Sequence, residues 1–567
     1  MSESKSFIRE AAILTVANFA VKIIGVVFKI PLTNIMGRNI GIFQAAYSIY
    51  AMLFMLSTGG LPVAISRMVA SSNGRGRGKE ADKISKISIY LFGIIGLVFS
   101  VLLIIFAPFV SRISGHEESA LAMRIIAPAL FFVCVISSVR GYFQGLRNMY
   151  PTAISEFIEA FFKLAVGLLA VVIASNNNWS VEVQAACAIS GVSVGSMISM
   201  IFLLIYRRFS KKSHPDYRTD ECEDSRKLLK MILVISIPIT LTAAALYFSQ
   251  FLDTLVIVNG LTASGESAET ADTLYSAYTG LAVPIYDLLP SALVFPIATS
   301  ILPAVSSALA CNNKKEASAL TRQSIRLSGI ISFPCGVFLF VAGRSCISLL
   351  YGASKWTEPV LMADGSEIAP LSVATISLAI LAFAVFFISS VSTTNSLLNA
   401  YGYPHLPFIS VMSGVAALIV SEILLVRSPI GVFGAPIASI ICYTIALGLN
   451  IHFLRKHCGV RLKVAGMFAR PLLSSIVTFV ITFFAYWGST EMWKALAGSS
   501  PDSRLGSFVI LMITGIIMVI SYVISILVFR GIKEDEVRLL PKGNFIADRL
   551  IKKGWLRKNT ETEAAAK

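Results

Sequence analysis

Charge is scarce in this sequence. Of 567 residues, 14% are Asp, Glu, Lys or Arg, against about 25% in an average soluble protein. A soluble surface cannot be assembled from so few, because these are the side chains that normally cover it. Catalytic signatures are missing as well. No GxxxxGK[ST] phosphate loop occurs, so the chain is not read as an ATPase. The five histidines, His116, His214, His405, His452 and His457, lie mostly in loops and pair with no plausible acid or nucleophile. The eight cysteines include no CxxC pair and no His at metal-ligand spacing. Buried thiols are therefore expected, with no disulfide framework, catalytic residue, metal site or enzyme activity. Met1 to Glu10 show no cleavable signal pattern, so the first apolar run is expected to stay as a spanning helix.

What is abundant is apolar. Hydrophobic residues make up 55% of the chain, and the mean hydropathy is +0.75. A bilayer-crossing helix needs about 20 mainly apolar residues. Fourteen such runs can be drawn, at 7–36, 42–70, 86–110, 122–144, 151–175, 182–206, 229–259, 273–308, 322–343, 368–400, 405–427, 431–455, 468–488 and 506–529. They are too long and too continuous for tilted barrel strands. The expected fold class is an all-α polytopic membrane protein with about 14 transmembrane helices.

The basic residues give an orientation. With the N-terminus cytoplasmic, thirty-five of the 48 Lys and Arg fall in loops on that side, and seven on the other. That asymmetry is the positive-inside pattern, and it also calls for an even number of spans. The net charge of +16 thus sets topology and implies no nucleic-acid partner. The Gly74-Arg75-Gly76-Arg77-Gly78 run reads as an orientation signal and lipid-headgroup contact.

The two halves repeat. Ile49-Tyr50 then Leu61-Pro62-Val63-Ala64-Ile65-Ser66 match Ile285-Tyr286 then Phe295-Pro296-Ile297-Ala298-Thr299-Ser300. Ile136-Ser137-Ser138-Val139 before Pro151 matches Ile388-Ser389-Ser390-Val391 before Pro404. The order implies two six-helix lobes in parallel repeat plus two C-terminal helices, an arrangement in which transporters place the site between repeats. The expected divisions are an N-lobe at 1–208, a cytoplasmic linker at 209–228, a C-lobe at 229–457, two added helices at 458–530, and a basic cytoplasmic tail at 531–567.

Six basic residues remain inside the spans: Lys22, Lys29, Arg67, Arg124, Arg140 and Lys163. A charge at the bilayer centre costs about 3 kcal/mol or more, so each needs a partner or a watered cavity. Arg67, Arg124 and Arg140 sit near helix ends, where snorkelling can satisfy them. Lys22 and Lys29 are seven apart on one face of the first helix, and Lys22 is near its middle. Glu159 and Lys163 have ion-pair spacing on the fifth helix, beside Glu156. Asp253 and Asp287 are membrane-embedded acids of the second lobe, candidates for a coupling cation or proton. A cationic first lobe suits a phosphate-bearing substrate.

Gly59-Gly60-Leu61-Pro62-Val63-Ala64-Ile65-Ser66 and Arg140-Gly141-Tyr142-Phe143-Gln144-Gly145, followed by Asn148-Met149-Tyr150-Pro151, Glu159 and Lys163, resemble one known family. It is the polysaccharide-transporter branch of the multidrug/oligosaccharidyl-lipid/polysaccharide (MOP) exporter superfamily, in particular its sporulation and Gram-positive lipid II flippase-like members. The resemblance covers the whole chain. It implies a flippase that moves undecaprenyl-pyrophosphate-linked glycan outward by alternating access, in cell-wall or polysaccharide biosynthesis. It places Lys22 and Lys29 at the diphosphate and matches Arg140, Glu159 and Lys163 to the family's fourth- and fifth-helix motif. From the residues themselves, Arg140 and Lys163 are further diphosphate candidates, and Arg67, Glu156, Glu159, Asp253 and Asp287 are gating or ion-pair candidates. Lipid II flippases carry further arginines in helices two and eight. Here helix two has no basic residue before Arg67, and helix eight carries Asp287. The expected setting is the bacterial cytoplasmic membrane, with both termini cytoplasmic. No cofactor is expected beyond a coupling cation, a proton or the membrane potential. The expected partners are the lipid-linked substrate, membrane lipids and cell-wall synthases, with the chain acting as a monomer. A multidrug or cation antiporter on the same fold is the alternative, and it calls for acids rather than lysines in the first-lobe cavity.

Overall fold

The structure, a computed structural model, describes residues 20–21, 23–25, 27–146, 148–210, 222–294, 305–306, 308–309, 312–353, 356–460, 462, 464–497, 500–534, 548–549 and 551–552. These are helical apart from turns and one two-stranded hairpin. The protein is an all-α polytopic membrane protein. Eleven helical stretches among the described residues are long and apolar enough to cross a bilayer. The first, Ile23–Asn73, covers two of the expected spans. The expected spans at 229–259 and 273–308 correspond to helix Ser225–Ala263 and to helical segments within Ala268–Leu293. Residues 295–304, with the second copy of the Pro-containing word, lie outside the described residues, as does most of the basic tail.

The chain forms two compact units, Met1–Ser276 and Ala277–Lys567. In the first, α1 comprises the described residues of 20–36, followed by α2 (Ile40–Thr58), α3 (Leu61–Gly74), α4 (Gly78–Ile113), α5 (Ala120–Gly145), α6 (Tyr150–Asn176), α7 (Val181–Ser210), α8 (Ser225–Ala263) and α9 (Ala268–Ser276). The expected run 42–70 is thus two helices. Gly59 and Gly60 break it, and Pro62 sits in the first turn of α3, where its missing N–H is not needed. The freed Gly60 N–H donates to Thr240 Oγ1 of α8 at 2.9 Å. Such a bond is required, because lipid offers a broken helix no water.

By packing, α8 groups with the first unit rather than with the second lobe, where its order in the chain assigns it. Its polar side chains show why. Besides Thr240, Thr254 Oγ1 bonds Ser48 Oγ and Tyr275 Oη, each at 3.0 Å. Asn259 Nδ2 donates to the Ile113 carbonyl at 2.7 Å. The start of α8 is also held. Glu223 N–H donates to Glu80 Oε2 (3.0 Å), and Lys83 Nζ donates to the Glu223 carbonyl (2.8 Å).

The second unit holds a π-helical turn (Ala277–Ala282), α10 (Val283–Leu293) and α11 (Lys314–Tyr351). It continues with α12 (Pro370–Ala400), α13 (His405–Val426), α14 (Gly434–Lys456), α15 (Val464–Ala497) and α16 (Arg504–Val528). Between α11 and α12 lies a hairpin, β1 (Val360–Leu361) paired antiparallel with β2 (Glu367–Ile368). The packing pairs recur: α4 on α5 and α6 on α7 in the first unit, α11 on α12 and α13 on α14 in the second. The final pair, α15 and α16, docks on α11. Arg344 binds Asp502 through Nε and Nη2 (3.0 and 2.7 Å), and Tyr522 Oη donates to the Ile330 carbonyl at 2.6 Å. The outer faces of α15 and α16 expose Leu473, Phe484, Trp487, Ile516 and Ile524, a surface suited to lipid.

The expected burial holds for four of the seven described cysteines. Cys134, Cys335, Cys346 and Cys442 are buried, Cys187 and Cys458 are half-buried, and Cys222 is exposed. All seven are free; Cys311 lies outside the described residues.

Candidate functional site

The segment Arg140–Gly145 organises the first unit because α5 is packed on several sides. Gly141 and Gly145 bring its backbone onto α3. A Cβ at Gly145 would stand 2.8 Å from the Ser66 carbonyl, and one at Gly141 would stand 3.0 Å from Pro62 Cα. Tyr142 Oη donates to Asp82 Oδ1 of α4 at 2.8 Å, and its ring lies under the Arg207 guanidinium of α7, 5.4 Å away. Phe143 is buried. Arg140 turns towards α6. Its Nη2 reaches Glu159 Oε2 at 3.0 Å, and its Nε donates to Ser155 Oγ at 2.8 Å.

Helix α7 closes on the other side of Glu159. Ser196 Oγ donates to Glu159 Oε1 at 3.2 Å. Small residues allow this approach. A Cβ at Gly195 would stand 2.6 Å from the Glu159 carbonyl, and one at Gly191 would stand 2.5 Å from the Lys163 carbonyl. Such small-residue seams let membrane helices meet at backbone distance. The turn carrying Glu159 and Lys163 is thereby fixed.

The spacing of Glu159 and Lys163 predicts an ion pair between them, and the structure forms a different one. Glu159 is taken by Arg140. Lys163 Nζ instead rests over the rings of Tyr47 (4.8 Å) and Phe28 (5.3 Å). Among the described residues, no carboxylate lies within ion-pair distance of it. The reason is reach. Arg140 delivers a guanidinium from a neighbouring helix, while the aromatic faces of α1 and α2 attract the lysine.

Two cavities meet here. One, of 270 Å³, is walled by α1 (Val21, Ile24, Gly25, Phe28), by Arg140, and by Glu156, Glu159, Ala160 and Lys163 of α6. The other, of 150 Å³, shares Glu159 and Lys163 and adds Tyr47, Tyr50 and Phe54 of α2, with Tyr247 of α8. Glu156 is half-buried, and its Oε2 has no hydrogen-bond partner among the described residues.

None of the other described sequence candidates is among the residues that line these two cavities. Lys22 is outside the described residues. Lys29 is half-buried one position beyond Phe28, so it sits on the neighbouring face of α1. Arg67 and Arg124 are exposed, as snorkelling requires. Asp253 is half-buried on α8, now in the first unit, and Asp287 is half-buried on α10 in the second. One histidine corrects the expectation that none meets an acid. His116 is buried, with Nδ1 2.9 Å from Asp272 Oδ1 and its ring 4.7 Å from that of Tyr275. His116 and Asp272 are far apart in the chain, and nothing in local spacing joins them. Among the described residues, no group of three or more His, Cys, Asp or Glu could hold a metal ion.

The second unit has a cavity of another kind. It measures 370 Å³ and lies between α11, α12 and α15, lined by Phe333, Phe340, Phe383, Phe386, Phe479 and other mainly apolar side chains. Gly336 on its wall lets α11 and α12 approach closely, because a Cβ there would press to 2.7 Å from the Ala382 carbonyl.

Comparison with known proteins agrees with this architecture. The chain is 24% identical over 552 residues to stage V sporulation protein B of Bacillus subtilis (strain 168), covering 95% of this chain and 98% of that one. It is 23% identical over 520 residues to lipid II flippase MurJ of the same organism, covering 87% and 92%. A solved structure of lipid II flippase MurJ in an inward closed conformation superposes with a TM-score of 0.67 at 16% identity, over 91% of this chain and 98% of that one, which shows a shared fold. A family model described as "Polysaccharide biosynthesis protein" matches residues 7–309, more than half of the chain, and the protein belongs to that family.

Proposed function

We propose that the protein is a flippase that carries an undecaprenyl-pyrophosphate-linked glycan outward across the bacterial cytoplasmic membrane by alternating access. Both termini are cytoplasmic in this reading, and the loop-charge asymmetry supports that orientation. The observation that carries the proposal is Lys163. It is an ammonium inside the first unit, at the junction of two cavities, lying over two aromatic faces with no carboxylate within ion-pair distance among the described residues. An intramembrane cation without an acid partner is costly unless it is used, and a diphosphate supplies the missing charge. Arg140, already anchored by Glu159 and Ser155, frames the same space. The phenylalanine-lined cavity of the second unit suits an isoprenoid chain, which needs apolar walls and no hydrogen bonds. The relative named as a lipid II flippase supports the same substrate class. Lys22 and Lys29 belong to this reading as further diphosphate contacts. The chain works as a monomer, and cell-wall synthases are its downstream partners.

A cation-coupled antiporter is the second reading, and Glu156 favours it. A buried carboxylate oxygen without a hydrogen-bond partner in a cavity is a natural seat for a proton or cation. The two readings combine if Glu156 serves the coupling ion and Lys163 the substrate. The test is outward exposure of a sugar-labelled, undecaprenyl-pyrophosphate-linked glycan in proteoliposomes holding the full chain. Lys163→Ala should slow it at least about tenfold, and deletion of the gene should accumulate a lipid-linked precursor on the cytoplasmic leaflet. Unchanged exposure with Lys163→Ala would sink the proposal. Loss of ion coupling alone in Glu156→Gln would assign that residue.

A further inference from the structure

One face of α2 carries a row of rings. Phe43, Tyr47, Tyr50 and Phe54 follow each other with centroids 5.9 Å apart at each step, and Phe28 of α1 joins the lower end at 6.1 Å. The spacing of four, three and four residues keeps them on one side of the helix. Phe43 is buried and serves packing. The upper three differ. They line the 150 Å³ cavity that also holds Glu159 and Lys163, and Tyr47 and Phe54 are only half-buried. A cavity with aromatic faces on one side and a few polar groups on the other is built for a flat, amphipathic ligand. A pyranose ring has that form: its C–H bonds present a weakly positive face, and its hydroxyls point outward around the rim. The negative face of an aromatic ring accepts the first. Glu159, Tyr50 and Tyr247 are placed for the second.

Lys163 occupies the stacking surface. Its ammonium lies 4.8 Å from the Tyr47 centroid, where a sugar would rest. It also lines the adjoining 270 Å³ cavity beside Arg140. A phosphate there is a stronger partner than a ring face.

We propose that Tyr47, Tyr50 and Phe54 form the subsite for the sugar next to the diphosphate, and that Lys163 moves from the Tyr47 ring to the phosphate when substrate arrives. The inference rests on the flippase reading and adds a coupling to it. Capture of the diphosphate uncovers the face that stacks the sugar, so the site distinguishes a glycosylated carrier from a bare polyprenyl diphosphate.

The experiment compares two probes on the full chain in nanodiscs: a short-chain polyprenyl diphosphate, and the same diphosphate bearing one N-acetylhexosamine. The wild type should bind the sugar-bearing probe more tightly. Tyr47→Leu should remove about tenfold of that preference while leaving the bare diphosphate bound as well or better, since Lys163 is then released. Phe54→Leu should remove less, and Tyr47→Phe should keep most of the preference, which guards against loss by misfolding. Equal loss on both probes in Tyr47→Leu, or no loss on either, overturns the sugar subsite. If the bare diphosphate fails to bind wild type, or binds Lys163→Ala unchanged, the flippase reading itself falls and takes the subsite with it.

Discussion

The two units start from a common pattern and end with different interiors. After Ile136-Ser137-Ser138-Val139 comes Arg140, whereas after Ile388-Ser389-Ser390-Val391 comes Ser392. In the first unit that step launches a charged chain, from Arg140 to Glu159 to Ser196. In the second, the nearby bonds are neutral: Asn450 Nδ2 of α14 donates to Thr394 Oγ1 (2.9 Å) and Asn395 Oδ1 (2.8 Å) of α12. The first unit's cavity has two cations and two carboxylates on its wall, and the second unit's is lined by phenylalanines. A repeat can therefore keep its helix order while one copy becomes a charged site and the other an apolar one. Helix packing constrains small residues and backbone contacts, and it leaves cavity-facing positions free to change.

That contrast can be broken most severely at the ion pair. Giving the first unit the second unit's residue, Arg140→Ser, leaves the Glu159 carboxylate partly buried with one hydroxyl partner. A cost of about 3 kcal/mol is expected, read as a fall in the thermal midpoint of purified protein. Pairing it with Glu159→Gln should recover most of the loss, because the uncompensated charge is gone. A double mutant as unstable as the single would show that the site is held by something other than this pair.

The next largest effect concerns the seam beneath it. Gly195→Val should cost about 1–3 kcal/mol, because a new Cβ would meet the Glu159 carbonyl at 2.6 Å. Gly448→Ala in α14, with nothing within 4 Å of its Cβ position, should be neutral or slightly stabilising. Equal melting points would mean that α6 and α7 separate more easily than the contact implies.

A smaller change sharpens the comparison in function. Val337→Phe narrows the apolar cavity of the second unit. Flipping of long-chain polyprenyl substrates should slow several-fold, with short-chain analogues spared. Identical slowing for both lengths would remove the tail from that cavity.

The smallest effect is expected at the hairpin between α11 and α12. Gly365 has φ of 81°, so Gly365→Ala should cost about 1 kcal/mol locally, visible as faster amide exchange in residues 360–368 with transport unchanged. The side-chain and backbone hydrogen bonds of Ser366 hold the Asp364 carboxyl below the ordinary range. Its contribution to the turn is thus present above the usual carboxylate range and is lost as pH falls below it. Asp364→Asn should abolish that pH dependence of exchange.

Much of the fold could be read in the chain because its cause is local. Apolar runs of bilayer length, scarce charge and one-sided basic loops are sums over neighbouring residues, and they determined an all-helical membrane protein. The structure divides the expected 42–70 run at Gly59-Gly60, where Thr240 of α8 satisfies the freed N–H. The glycines of the Arg140–Gly145 motif were visible, but not the α3 surface they press against.

What tertiary structure alone decided is which charges meet. Helical spacing offered Glu159 to Lys163, and Arg140 took it from another helix. His116 found Asp272 across a separation no periodicity spans. Helix α8 joined the first unit through side-chain bonds to α2, α3 and α4 rather than by its place in the chain. In a low-dielectric interior, a charge goes to whichever partner or ring face packing brings within reach, and sequence distance does not enter that competition.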